Sequence, residues 1–468
     1  MKKQLLLFVG LVLNCAALAD SIAIIFDTPG TYKYGAGFNG SPTDPNDSLF
    51  IISSSNIVLD LGDGTFGQQV GNTVPGFKLI VINPNLSNVI IRNGKIANLT
   101  SNGIYVNDGC SQVTFENLTL DSCTDAGIFC EGITTGTGLS NLTIRDCSFS
   151  NVLSTSGSAY GLRVKNCSRL SMENCLFEGT KQLVNLASRG ISFENVSAFQ
   201  ITNSKALGQL GVGTAIGFNF DSSSDGLMDN CICYFNIAAA GDSNSLGSGF
   251  FFNNCSRLWV ANCQGVGNGA LAGRGAGFSS TNGSQNIIEK SIAQNNNGFA
   301  SAVGYMLDGE NTSYLDTCMS RANTSSAGSA YGIRLLNNSS NCYIEDNTVV
   351  NNSGVQGFGI ADDANPSSSL VIGNYALNNG TNYSVTYTTG VTLAIIEGSL
   401  TNSAIGLPSG QSGVFDNVSV GNVDGGTGGN ALAGFSSLLS ANVSSPSLIN
   451  SNVSVGNLSN AISELLGN

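Results

Sequence analysis

Five glycines, Gly249, Gly277, Gly304, Gly332 and Gly359, stand 28, 27, 28 and 27 residues apart, and each opens a segment that aligns with the others. Earlier copies begin at Gly103, Gly127, Gly161 and Gly217 with less regular spacing, and the words YGLRVKN (160–166) and YGIRLLN (331–337) are nearly identical. A period of this length means a solenoid in which each copy is one supersecondary unit stacked on the last. Each copy holds two short runs of alternating apolar residues: Gly-φ-x-φ, as in Gly249-Phe250-Phe251-Phe252, and φ-x-φ-acid-Asn, as in Leu170-Ser171-Met172-Glu173-Asn174. A third short run closes the copy before a terminal Asn. Period-2 alternation between Gly, Asn and Ser is strand chemistry. Helical repeats fail, because the same residues would recur inside every helix.

Stacking places equivalent residues at the ~4.8 Å interstrand spacing, so the alignment predicts columns. Asn93, Asn117, Asn174, Asn195, Asn230, Asn262 and Asn374, with Asp146 and Asp346, are expected to form an inward ladder at a turn that satisfies buried polar groups on every rung. Just before it lies an outward column of Glu116, Arg145, Glu173, Glu194, Asp229, Glu289, Asp316 and Glu345, in which Arg145 separates two acids. The outward face of the first strand reads Tyr105, Phe129, Arg163, Asn219, Phe251, Ser279, Met306, Arg334, with Glu131, Lys165, Asp221 and Asp308 further along it. Aromatics with arginines and amides along a flat strip suit glycan binding; the other reading is that a loop covers them and they pack beneath it.

Composition narrows the chemistry. Among 468 residues there is no histidine, which removes Ser-His-Asp and Cys-His nucleophile systems, HExxH metalloenzymes and histidine-ligated zinc or copper. Met172, Met228, Met306 and Met319 are too scattered to replace it in metal handling. Net charge is −13 with no basic run, so nucleic acid is not an expected partner, and no cofactor or metal site is expected. Lys2 and Lys3, the apolar stretch Leu5 to Leu13 and Ala17-Leu18-Ala19 form a secretory signal peptide over 1–19. Without it the chain carries 18 − 2 = 16 bases, 31 acids and 12 cysteines. No later segment has the ~18 consecutive apolar residues of a transmembrane helix, so the expectation is an exported monomer in the periplasm, on the cell surface or secreted.

The Asn column, the repeat length and the N-terminal words carry a resemblance. Residues 27–66 hold Pro29-Gly30-Thr31-Tyr32 ahead of Asn56-Ile57-Val58-Leu59-Asp60-Leu61, and NLSNVIIRNGKIAN (85–98) looks like a second rung. The chain resembles the right-handed parallel β-helix proteins of the pectate-lyase-like superfold, particularly exported ones of the periplasmic carbohydrate-binding and sugar-hydrolase type, over about residues 24–400. The resemblance implies an all-β, right-handed parallel β-helix of about 12–14 rungs over 20–400, a rod of roughly 60 Å at 4.8 Å per rung. Irregular last rungs and a short cap would follow over 401–468. The superfold hosts lyases, hydrolases, adhesins and binding proteins alike.

Resemblance to galacturonan hydrolases implies N-x-D, D-D, G-H-G and R-x-K words. Asp362-Asp363 supplies an adjacent carboxylate pair for acid/base work, or else an acidic turn. G-H-G is impossible here, and Arg163-Val164-Lys165 lies about 200 residues upstream on another rung. Resemblance to pectate lyases implies calcium held by several acids near an arginine base. Glu131, Asp221, Asp308 and Asp363 fall two or more rungs apart, too far to share one ion, and Arg163 and Arg334 occupy distant rungs. The preferred reading is therefore a non-catalytic protein that binds glycan or mediates surface or host contact, and the alternative is a polysaccharide lyase or hydrolase. Cys147, Cys175, Cys231, Cys263 and Cys318 share the position after the Asn column, where neighbours on adjacent rungs form either inter-rung disulfides or a ladder of buried thiols.

Overall fold

The computed structural model describes residues 23–386, apart from 36, 38, 41–46, 69–75, 134–137, 185, 240–241 and 364–368, together with strands at 395–399, 404–406 and 414–419. The expected signal peptide and most of 401–468 lie outside the described residues. One rung shows the plan: strands Leu246–Asn253, Trp259–Ala261, Gln264–Val266 and Gly269–Ala270 are followed by Arg274–Thr281, Ile287–Glu289, Ile292–Gln294 and Asn297–Gly298. Each strand pairs in parallel with its equivalent, Phe250 opposite Phe278, Val260 opposite Ile288 and Gly265 opposite Ala293. First and second strands merge into a 26-stranded sheet, third strands make a 15-stranded one, and a short fourth strand adds a 7-stranded sheet. The protein is a right-handed parallel β-helix, as the repeat predicts.

Inward side chains from all faces fill the coil. Phe218, Phe250, Phe278 and Tyr305 stack at 5.3, 4.6 and 4.9 Å with their rings within 13° of parallel. The leading glycines sit where strands of successive rungs approach most closely: a Cβ on Gly249 would lie 2.7 Å from the Gly277 carbonyl oxygen and 3.0 Å from Cys233 Cβ. Gly190, between Gly161 and Gly217, belongs to the same column. The sequence alignment passed over it.

The asparagine columns require a correction. Asn93, Asn117, Asn174, Asn230 and Asn262 have φ between 52° and 56° and form left-handed corners on the outside of the coil. Asn adopts this region more readily than other non-glycine residues, so one Asn per rung recurs for a backbone reason. These side chains bond along the surface, Asn117 Nδ2 donating to Asn93 Oδ1 at 3.0 Å and Asn174 Nδ2 to Asp146 Oδ1 at 3.2 Å. Asn195 lies elsewhere, donating to Asn166, and with it Glu194 leaves the acidic column to sit beside Lys165. Asn374 lies one position later and is buried. The inward ladder that the repeat demanded is a different set: Asn236, Asn268, Asn296, Asn323, Asn352 and Asn379, all buried. Each Oδ1 accepts from both the backbone N–H and the Nδ2 of the preceding member, as Asn296 does from Asn268 at 3.1 and 3.0 Å.

The cysteine column is continuous with these. Cys147 and Cys175 occupy equivalent positions on adjacent rungs, as do Cys231 and Cys263, and all 12 cysteines of the described chain are buried free thiols. Several S–H groups point at backbone carbonyls, Cys263 Sγ lying 3.1 Å from Ala261 O and Cys318 Sγ 3.2 Å from Asp316 O. Burial pushes the Cys123 thiol up to about 12 and raises Cys263 as well, so these two thiols stay protonated and act as small packing residues. Elsewhere on the same coil Glu310 points inward, fully buried. Its carboxyl oxygens accept from Ser280 Oγ, the Gly283 N–H, Asn286 Nδ2 and Ser313 Oγ at 2.7–3.1 Å. It occupies space that Gly283 leaves open, since a Cβ there would lie 2.5 Å from Glu310 Oε1.

On the outside, Arg145 pairs with Glu116 at 2.9 Å and separates it from Glu173. Asp121 is pinned more firmly. Burial raises its proton affinity, but hydrogen bonds from Asn151, Lys95 and Ser150 outweigh that and hold the carboxyl at about 2. A folded pKa below the unfolded value of about 3.9 gives stability present above pH 4 and lost as pH falls through 4 towards 2. Acid titration of the unfolding midpoint between pH 5 and pH 2 should show a smaller loss in Asp121→Asn than in the parent protein. No helix among the described residues is long and apolar enough to cross a membrane.

Candidate functional site

The predicted strip exists. Tyr105, Phe129, Arg163, Ser192, Asn219, Phe251, Ser279, Met306, Arg334 and Ala361 run in unbroken register on the outside of the first strands. Its exposure is uneven. Tyr105, Phe129, Arg163, Phe251 and Arg334 are half-buried, whereas Asn219, Ser279 and Met306 are buried, Met306 at 3%. Asn219 donates to Ser192 Oγ at 3.1 Å, and Met306 packs with Val303, Tyr331 and Ala361 in an apolar cluster outside the coil. For these two residues the packing reading holds, since neither presents a surface to a ligand.

Chemistry gathers at the N-terminal part of the strip. The Arg163 guanidinium lies 5.2 Å from the Phe129 ring centre and 4.6 Å from that of Tyr160. Lys165 stands 5.6 Å from Phe129 and Lys78 stands 5.4 Å from Tyr105. Tyr105 meets Phe129 edge-on and donates its hydroxyl to Glu131 Oε2. Burial, and then Glu131, raise the Tyr105 pKa, so it is a donor and not a base. Arg163 and Lys165 both reach Glu194 on the next rung, at 2.8 and 3.7 Å. Arg189 donates to Tyr160 Oη at 3.0 Å, and its Nε–H is buried with no acceptor. Four bases therefore face two acids on the outside of a chain whose net charge is −13.

A second, smaller nest repeats the unit six rungs on. Arg334 lies 4.1 Å from the Tyr331 ring centre and pairs with Asp363 on the next rung at 2.8 Å. Both nests are built by the same word, Tyr-Gly-[Leu/Ile]-Arg: the glycine turns inward where strands crowd, which leaves Tyr and Arg side by side outside. Arg274 reaches Met306 Sδ at 2.8 Å, and burial followed by the Arg334 charge lowers its proton affinity. The paired acids separate, because Asp362 continues the strand opposite Leu335 while Asp363 is exposed and taken by Arg334. Neighbouring strand residues face opposite ways, so the two carboxyls do not flank a common space. Glu131, Asp221 and Asp308 stand three rungs apart, and each is half-buried on its own rung.

Sequence reasoning missed Lys78, Tyr160, Arg189 and Tyr331, and placed Glu194 in the outward acidic column instead of here. The repeated Tyr-Gly-x-Arg words were the available signal. Reading them needed the knowledge that the glycine bends the strand and brings both neighbours to one side.

A parallel coil carrying an outward row of cation–aromatic contacts defines a β-solenoid with a lateral surface. The chain matches the right handed beta helix region family over residues 44–189, 138–274 and 189–400 and belongs to it. No curated protein matches it. Among solved structures it is similar to the Azotobacter vinelandii mannuronan C-5 epimerase AlgE6 A-module, at 14% identity over 80% of this chain and 91% of that one, TM-score 0.43. It is also similar to the periplasmic alginate epimerase AlgG, at 11% identity over 80% and 77%, TM-score 0.42. A third is the DFA-IIIase of Arthrobacter chlorophenolicus A6 in complex with GF2, at 10% identity over 60% and 71%, TM-score 0.39. At these values the likeness is one of fold alone.

Proposed function

We propose that the protein is an exported β-helix protein that binds a carboxylate-bearing polysaccharide along the first-strand face, centred on Arg163. The observation that carries this is the nest of Lys78, Arg163, Lys165 and Arg189 against Tyr105, Phe129 and Tyr160. Sugar rings present C–H faces to aromatics, and acidic sugars add a charge that lysine and arginine take up. The surplus of bases over acids suits an anionic chain better than a neutral one. Export rests on the N-terminal basic, apolar and Ala-Leu-Ala segments.

Hydrolysis fits the nest poorly. Glu131 and Glu194 lie two rungs, ~9.6 Å, apart at ~4.8 Å per rung, the wide limit for an inverting pair. Both are already committed, Glu131 to Tyr105 and Glu194 to Arg163 and Lys165.

Calorimetric titration with polygalacturonate at low salt should show saturable binding that weakens as salt rises. Arg163→Ala should weaken it at least tenfold, the loss of about 1.5–3 kcal/mol expected for hydrogen bonds to a charged group. A neutral glucan should bind far less. Equal binding of neutral and acidic chains, or none of either, would overturn the proposal, and steady release of unsaturated or reducing ends would replace binding with catalysis.

A further inference from the structure

A second surface lies on the outside of the second strands, around a corner from the nest. Leu227, Trp259, Ile287, Tyr314, Tyr343 and Leu370 follow one another in register on six consecutive rungs. Earlier members of the same column, Thr143, Ser171 and Gln200, are polar. Trp259 is 50% exposed, and Ile287 and Tyr314 are exposed by more than a third. Five spacings of ~4.8 Å make an apolar stripe ~24 Å long. Leu227, Tyr343 and Leu370 at its ends are half-buried, and a run of large apolar side chains whose middle stands in water calls for a partner.

The flanks say what kind. Two residues beyond the stripe, on the same outward side, lie Asp229, Glu289, Asp316 and Glu345. The bases at the stripe's margins are already used locally, Arg257 by Asp225 at 2.5 Å and Lys290 by Glu289 at 3.6 Å. Like charge argues against a second copy of this chain lying on the stripe and against an anionic lipid surface. A sugar is disfavoured by ring geometry: Tyr314 and Tyr343 stack face to face at 4.6 Å and 4°, so their faces cover each other and only edges point outward. What remains complementary is a partner with an apolar ridge bordered by positive charge.

We infer that this stripe docks a basic amphipathic helix of a partner protein, laid along the coil axis. A helix rises ~1.5 Å per residue with a ~5.4 Å pitch, so about 16 residues span the stripe. One helical turn then falls on nearly every rung, placing apolar residues at i, i+3/i+4 and i+7 against Trp259, Ile287, Tyr314 and Tyr343. An extended strand, advancing ~6.8 Å per same-side pair, would lose register after two rungs.

Trp259 is the only tryptophan of the chain, so its emission reports on this stripe alone. The probe is a synthetic 16-residue helical peptide with leucines on one face and lysines bordering them, titrated into the full-length protein without its first 19 residues. Controls carry glutamate for lysine or a scrambled leucine order. The lysine peptide should give a saturable blue shift, and the controls little or none. Asp316→Lys and Tyr314→Ser should each weaken binding about tenfold or more, and Arg163→Ala should leave it unchanged, which separates this surface from the first-strand nest. Because the substituted side chains stand outside the coil, an unchanged unfolding midpoint checks that the fold survives. Equal response to lysine and glutamate peptides, no saturable response, a shift produced by a neutral oligosaccharide instead, or a shift that follows protein self-association would each overturn the inference.

Discussion

Asn296→Ala is expected to destabilise the protein by about 3–5 kcal/mol, because two buried donors lose their acceptor at once and each orphaned group costs about 1–3 kcal/mol. Asn296 Oδ1 receives the Asn268 N–H and Nδ2, while Asn296 Nδ2 serves Asn323 Oδ1 at 2.8 Å and the Gly265 carbonyl at 3.1 Å. The neighbouring Asn295 has φ 54° and forms a corner. Asn295→Gly keeps that corner at little cost, so two adjacent asparagines should differ several-fold in effect. Urea unfolding measures the difference, and amide hydrogen exchange should place the Asn296→Ala opening around Asn268 first. Similar losses in both variants would refute the assignment of the inward ladder.

Phe278→Ala should cost about 3–5 kcal/mol, the range for emptying a buried aromatic site. The ring is held between Phe250 at 4.6 Å and Tyr305 at 4.9 Å, and parallel strands on both sides fix the spacing, so the gap cannot close by collapse. Phe278→Leu, which keeps most of the volume, should cost less than half as much. Phe251, one rung earlier on the outward column, is half-buried, and its alanine variant should shift the urea midpoint only slightly.

The coil itself was legible because its signal is repeated. Alternation in Gly-φ-x-φ and a constant offset between copies place Phe250, Phe278 and Tyr305 inside without any knowledge of a partner. Orientation at the corners was not legible. Asn295-Asn296, Asn351-Asn352 and Asn378-Asn379 are identical pairs in sequence, yet the first member turns the chain and the second hydrogen-bonds inward. Composition cannot separate a conformational requirement from a hydrogen-bonding one when one residue type meets both. The outward strip was legible as a column and not as a surface, since side chains of neighbouring rungs lie across one another and bury Asn219 and Met306. Tyr160 and Arg189 escaped notice because their outward direction follows from a glycine bend. The Trp259 stripe was missed for a simpler reason: only rung-by-rung register brings Trp259, Ile287 and Tyr314 into line.

Among the described residues from Leu246 to Asp362, each strand is paired with the one 27 to 29 residues later on the next rung. Length is therefore a quantised property of this molecule. Removing residues 277–303 as a unit takes out one leading glycine, one stacked ring and one ladder asparagine, and brings Gly249 directly beneath Gly304 with the glycine, ring and asparagine columns in register. The two Tyr-Gly-x-Arg nests would then stand one rung, ~4.8 Å, nearer each other. A chain built this way sets the separation of its surfaces by counting copies, and the contact that such a deletion would have to rebuild is the set of donors to buried Glu310.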